Sequence, residues 1–214
     1  IESASVDRDD VFLATKVWID SLSPAAVRET TETSLEKLGV ESVDLLYVHW
    51  PADTYVPEET LPAFESLKET GLTSHIGVSN FEPRHLEQAT SILEEPPFAN
   101  QVEMHPLLPQ EKLRAAVART RTEIVAYSPL ARGTVFSVTE ISAVANKHDV
   151  SEAQVSLAWL AEKGVTSIPK ATSREHISDN WASRSLELDP EDVERIDAID
   201  HTKRQVDPGF APWN

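Results

Sequence analysis

The 214 residues are 40% hydrophobic and carry a net charge of −17, with 36 Asp and Glu against 19 Lys and Arg. That is enough apolar material for one good-sized domain. No apolar run approaches the ~18 residues of a membrane span, and the scattered basic residues disfavour nucleic acid, whose phosphates need clustered cations. With no Cys, thiolate chemistry and cysteine-ligated metals are excluded, and a reducing, cytoplasmic setting is expected. The acidic clusters Asp7–Asp10, with Arg8 inside, and Asp189–Glu194 read as solvated faces, and the acidic, lysine-poor composition predicts adaptation to high salt.

The chain starts at Ile1 and its only Met is Met104, which reads as a fragment or processed product. Its first residues lack the basic and apolar regions of a signal peptide. A strand over Val11–Trp18 is followed by a helix at Pro24–Leu38, with Ser23 as cap, Pro24 in the first turn and Val27, Thr31, Leu35 and Leu38 as the inner stripe. Gly39 ends it. The apolar run Val43–His49 predicts a strand buried on both faces, and a helix follows near Glu58–Glu69. Next come a strand at Ser74–Val78, a helix at Pro83–Leu93, a strand at Asn100–Met104 and a helix at Gln110–Arg119. A strand at Glu123–Tyr127 leads to helices at Thr139–Lys147 and Glu152–Glu162, the latter with a Ser151/Gln154 capping box. A strand at Val165–Pro169, a helix at Arg174–Ser183 and a last helix opened by Asp189-Pro190 and ending near Ile199 complete the chain.

Six β/α units imply a parallel sheet covered by helices. No GxGxxG occurs, so the Rossmann fingerprint is absent. The choice lies between an open sheet and a (β/α)8 TIM barrel with about six of its eight units present, and the start at Ile1 favours the barrel, as a single domain over 1–214. Two of its strands end in chemistry. Val43–His49 delivers His49 and Trp50, and Val11–Trp18 delivers Lys16 and Trp18. In parallel α/β proteins ligands bind at the carboxyl ends of strands, so these residues suggest an active site with aromatic walls.

Six motifs in order resemble the aldo-keto reductase family: Phe12–Trp18 (FLATKVW), Tyr47–Pro51 (YVHWP), Ile76–Phe81 (IGVSNF), Asn100–Pro106 (NQVEMHP), Ala126–Leu130 (AYSPL) and Ile168–Ala171 (IPKA). They look most like the prokaryotic branch that includes diketogluconate and aldehyde reductases. The resemblance implies a TIM barrel that reduces aldehydes or ketones, sugar-derived ones included, to alcohols with NADPH, and usually acts as a monomer. The family's general acid is a Tyr, helped by a Lys, an Asp and a His. Lys16 matches the Lys, which lowers the tyrosine pKa, and His49 matches the His, which orients the carbonyl and helps relay the proton. The Asp and Tyr are expected upstream of Ile1, where the family's preceding helix ends in a stretch resembling Ile1–Ala4, so these 214 residues by themselves are expected to be inactive or unstable.

By the same resemblance Ser79, Asn80 and Gln101 hold the nicotinamide amide, Tyr127 stacks on its ring, and Ser128, Leu130 and Arg132 belong to the pyrophosphate loop. Lys170, Thr172 and Ser173 meet the adenosine 2′-phosphate, and Asn180 meets the adenine. His176 stands where the family often has Arg, which keeps NADH open as an alternate donor, and Ala171 replaces a common Ser. Trp18, Trp50 and Trp213, with the tail around Phe210, are expected to wall the substrate pocket, whereas Trp159 and Trp181 read as core. Glu103 and His105 alone do not supply a metal site, and His105 reads as structural. Two rivals remain open on the residues: a catalytically inactive NADP(H)-binding regulatory or scaffold module on the same barrel, and an unrelated TIM-barrel hydrolase or lyase, which would need paired carboxylates at the strand ends.

Overall fold

The computed structural model describes residues 6–214; Ile1–Ala4, the stretch matched to the end of the family's preceding helix, lies outside them. The elements alternate as read: β1 (Ala14–Val17), α1 (Pro24–Leu38), β2 (Val43–Val48), α2 (Pro57–Glu69), β3 (Thr73–Ser79), α3 (Pro83–Ile92), β4 (Ala99–Glu103), α4 (Glu111–Thr120), β5 (Glu123–Tyr127), α5 (Thr139–His148), α6 (Glu152–Glu162), β6 (Thr166–Ser167), α7 (Arg174–Ala182) and α8 (Pro190–Asp197). The six strands form one sheet in chain order, and β1–β2, β2–β3 and β5–β6 pair in parallel. Two compact units divide the chain. The first runs through Asn100 and adds Ala116–Thr122 and Gly209–Asn214; the second holds Gln101–Ala115 and Glu123–Pro208.

In the first unit β2 is the central strand. Val43, Leu45, Leu46, Tyr47 and Val48 are at most 2% exposed, and β1 and β3 pair with its two edges. The strand expected from Val11 is shorter. It begins at Ala14, an exposed residue, and Phe12 is 58% exposed. Among the described residues β1 stands at the end of the sheet order and pairs with β2.

Helix α1 buries Val27, Thr31 and Leu35, but Leu38 is exposed. The inner stripe stops a turn early because Gly39 adopts the left-handed conformation (φ 67°) and Val40 N–H closes on Leu35 O at 3.2 Å. Ser23 occupies the cap position without a side-chain hydrogen bond.

Gly77, on β3, faces Tyr47 on β2, its register partner. A Cβ there would lie 2.6 Å from the Tyr47 ring and 3.1 Å from Leu45 Cδ1. Both neighbours are buried, so neither can yield freely. Gly77→Ala is expected to destabilise the protein by about 1–3 kcal/mol through overpacking, read as a lower urea midpoint at unchanged m-value.

In the second unit α6 is the buried helix, with seven residues from Ala153 to Leu160 inside. Ser151 caps it by accepting from Gln154 N at 3.1 Å. The Gln154 side chain does not return to Ser151 but donates to Asp179 at 2.6 Å, so only half of the expected capping box forms. Trp159 is buried as expected and donates its indole N–H to Asp197 at 2.8 Å. Trp181 is not core. It is 67% exposed on α7, a nine-residue helix with no buried residue, and the Arg184 guanidinium covers its face at 4.3 Å.

The Asp189–Glu194 cluster is also not wholly solvated. Asp192, at the third position of α8, is 1% exposed and accepts from Lys147 (2.7 Å), from Asp189 N (3.2 Å) and from the His148 ring (2.7 Å). Among the described residues no helix is long and apolar enough to cross a membrane.

Candidate active site

The parallel register sets Lys16 directly beside Tyr47, with its ammonium 5.6 Å from the Tyr47 ring centroid. Lys16 is half-buried, and burial lowers its pKa from the ordinary lysine value. One step beyond β2, His49 N–H donates to Val17 O at 3.1 Å, which ties the His to the strand that carries Lys16. Burial, and then the Lys16 charge, push the His49 imidazole down to about 4. It is a neutral ring near pH 7, able to donate one hydrogen bond and accept another.

The loops that follow β1 and β2 are bound together by Thr54. Its hydroxyl donates to Ile19 O at 2.7 Å and accepts from Leu22 N at 2.9 Å. Nothing in the sequence marks Thr54 for this role.

Aromatic rings close around these strand ends. Trp18 meets the His49 ring edge-on, with centroids 4.7 Å apart. Phe210, from the carboxyl-terminal segment, stands edge-on to Trp18 at 6.1 Å and to Trp50 at 5.4 Å. Trp213 lies 5.5 Å from Trp50, and Arg84 donates to Pro212 O at 3.2 Å, fixing the segment between the two rings. The predicted wall residues Trp18, Trp50 and Trp213 thus gather in one cluster. Trp50 is buried, while Trp18 keeps 43% of its surface exposed.

At the end of β3, Ser79 and Asn80 are buried. Asn80 adopts a left-handed conformation (φ 61°), which Asn tolerates better than other residues with a Cβ because its side chain hydrogen-bonds locally. Its side-chain amide donates to His49 O and to Ser79 Oγ, both at 3.1 Å. Asn100, at the start of β4, fixes the next residue of this turn by accepting from Phe81 N (3.3 Å) and donating to Phe81 O (2.8 Å).

In the second unit Gln101 is buried on β4, and Tyr127 is half-buried at the end of β5. Burial, with the Glu103 charge, raises the Tyr127 phenol well above its ordinary value, so it stays neutral. The loop after it is strained: Ser128, Ala131 and Arg132 all have φ between 47° and 50°. Left-handed non-glycine residues in succession cluster at functional sites. Buried Ser156, on α6, secures this loop by donating to Pro129 O at 2.7 Å, a contact with no sequence signal.

Farther along, Ser167, Pro169, Ala171, Ile177 and Asn180 line a cavity of about 380 Å³. Lys170, Thr172 and His176 are exposed around it in sequence but do not line it. Ser173 spends its hydroxyl as the cap of α7, accepting from His176 N at 3.1 Å.

A larger cleft, about 1000 Å³, is lined by Arg8, Glu36, Lys37, Asp44 and Ser74 in the first unit. It lies at the amino ends of β2 and β3, away from Lys16 and His49. The cleft itself holds no cluster of perturbed groups, since the one carboxylate with a lowered pKa, Asp44, is held by Leu13 N–H and Arg8 as a structural contact. Carboxyl ends of parallel strands are where this class of fold does its chemistry, so size does not make this cleft the active site. Among the described residues no group of three or more His, Asp and Glu could hold a metal ion.

The aldo/keto reductase family model matches residues 1–201. The chain belongs to the aldo/keto reductase family. It is 37% identical to an aldo-keto reductase of Mycolicibacterium smegmatis, across 95% of this chain and 74% of the relative. It is 36% identical to the methylglyoxal reductase DkgB of Escherichia coli O157:H7, across 100% of this chain and 82% of the relative. Among solved structures, an aldo-keto reductase complexed with NADPH superposes with a TM-score of 0.89 at 31% identity, covering 96% of this chain and 68% of that one. The partial (β/α)8 barrel expected from the motifs is therefore the family fold, with six strands described here.

Proposed function

We propose that this family member reduces aldehydes or ketones to alcohols, with Lys16 and His49 in the catalytic centre and NADPH as donor. The observation that carries this reading is the convergence, at the carboxyl ends of β1 and β2, of a half-buried lysine and a neutral, half-buried histidine within an aromatic enclosure. The named activity of the methylglyoxal reductase relative and the NADPH complex of the structural neighbour support it.

The residues fit the cofactor. In the first unit Ser79 and Asn80 present buried polar side chains of the kind a carboxamide needs; in the second, Gln101 does the same, Tyr127 offers a neutral ring face, and the strained 128–133 loop and exposed Lys170 supply groups for phosphates. NADPH, when bound, supplies the hydride that the carbonyl carbon accepts. The carbonyl oxygen then needs a proton. By family resemblance that proton comes from a Tyr for which these 214 residues hold no matching position. Lys16 acts on that Tyr, its ammonium favouring the phenolate left behind. His49, uncharged near pH 7, orients the carbonyl oxygen through its ring N–H rather than serving as a store of protons. Trp18, Trp50, Phe210 and Trp213 exclude water from the reacting carbonyl.

The test is NADPH titration followed by tryptophan fluorescence. NADPH is expected to quench the emission of Trp18 and Trp50, and Tyr127→Ala to weaken binding about tenfold by removing the stacking face. Unchanged affinity in that variant would remove Tyr127 from the site.

Cofactor choice provides a separate prediction. His176 is the third residue of α7 and is exposed. His176→Arg is expected to shift the NADPH/NADH preference toward NADPH by about 1–2 kcal/mol, because guanidinium is a permanent cation able to grip the 2′-phosphate. An unaltered ratio of kcat/KM for the two cofactors would place His176 away from the phosphate.

A further inference from the structure

We propose that Glu103 is a positioning residue for the cofactor edge of the second unit: its buried carboxylate pins the backbone of residues 205–206 and so holds Arg204 near Tyr127 and Gln205 on the loop of Thr134. The proposal rests on the reading that Tyr127 and the 128–133 loop bind NADPH.

Glu103, on β4, is fully buried. Three donors converge on it. Its Oε1 accepts from Gln205 N at 2.6 Å and from His105 Nε2 at 2.9 Å, and its Oε2 accepts from Val206 N at 2.8 Å. An ionised carboxylate only accepts, so the His105 nitrogen that faces it carries the hydrogen. Burial alone pushes the Glu103 carboxyl up, but the His105 ring and the two amides outweigh it and leave it below the ordinary glutamate value. The charge is thus retained in the interior because its lone pairs are filled.

The segment that supplies two of those donors lies outside any helix or strand. Its amides find no partner in a ladder and depend on Glu103 instead. Lys203 N–H adds a bond to Leu107 O at 2.8 Å. Between these anchors sits Arg204, whose charge acts on the Tyr127 phenol against that of Glu103. Next to it the Gln205 side chain donates to Thr134 Oγ1 at 3.3 Å, directly after the strained 128–133 loop that follows Tyr127. One carboxylate therefore governs where a cation and an amide meet two elements assigned to the cofactor.

Glu103→Gln preserves shape but replaces one acceptor by an NH2 group, so one tail amide faces a donor. Hydrogen exchange at Gln205 and Val206 is expected to accelerate at least about tenfold while Val102 on β4 keeps its protection. NADPH is expected to bind about tenfold more weakly, the loss of one charge-assisted hydrogen bond, with KM for the carbonyl substrate within twofold. Unaltered exchange at 205–206 would overturn the pin. Faster exchange with unaltered NADPH affinity would overturn the positioning role. Equal losses in both constants together with lost protection at Val102 would also overturn it, as general destabilisation.

If Glu103→Gln does not fold, Val206→Pro deletes the donor to Oε2 without touching the carboxylate and carries the same expectations, read at the Gln205 amide. A wild type that binds no NADPH would instead overturn the proposed function, and the exchange arm would still report on the pin.

Discussion

Lys16→Met is expected to lower kcat by at least about 10³-fold while NADPH still binds. The substitution keeps the length and apolar character of the stem, so the packing beside Tyr47 survives. What disappears is the cation that the register places beside Tyr47. Burial already lowers the Lys16 pKa, so its ammonium stands in a poorly solvated place where a charge acts strongly on its neighbours. A phenol asked to give up its proton there would lose its electrostatic support, and the chemical step would slow without loss of ground-state binding. Steady-state kinetics with NADPH fluorescence titration checks both halves. A kcat within tenfold of wild type would remove Lys16 from the catalytic centre.

His49→Gln is expected to lower kcat by about 10²-fold and to raise KM as well, leaving a remnant of activity from the acid itself. Its pH behaviour follows from the direction of its shift. The folded pKa is about 4 against an ordinary 6.5, so below 6.5 the unfolded state binds a proton that the folded state refuses. The contribution to stability is present above pH 6.5 and is lost as pH falls toward about 4. For the same reason the wild-type pH–rate profile between about 5.5 and 8.5 should carry no limb from His49. Imidazole NMR checks the pKa directly. A His49 titration near 6.5 in the folded protein would overturn the account of a neutral orienting ring.

The two predictions differ because the two residues do. Lys16 works by charge and His49 by direction, although one register brings them to neighbouring strand ends. A polypeptide of these 214 residues contains both and no residue matched to the family's Tyr and Asp, and is expected to reduce no carbonyl above background. Turnover by that polypeptide, verified by mass, would direct the search for an acid to its own side chains.

Periodicity and punctuation in the sequence were enough for the order of strands and helices. Apolar runs of strand length and stripes of helical spacing are local properties, and residues such as Pro24, Gly39 and Asp189 end or begin elements by their own backbone chemistry. The positions of Lys16, His49, Trp18 and Trp50 at the carboxyl ends of β1 and β2 were legible for the same reason, since a strand's end is a place the sequence marks.

Contacts between residues distant along the chain were not legible. The sequence could not show that Phe12 stands in solvent, or that Trp181 lies on a helix that buries nothing. Asp192 looked like one acid in a solvated run, yet Lys147 and His148, more than forty positions away, make it an interior charge. Asn100 beneath the Asn80 turn, Thr54 between two loops and Glu103 under the tail belong to the same class. A polar side chain in the interior is set by which donors and acceptors arrive opposite it, and only tertiary folding delivers them.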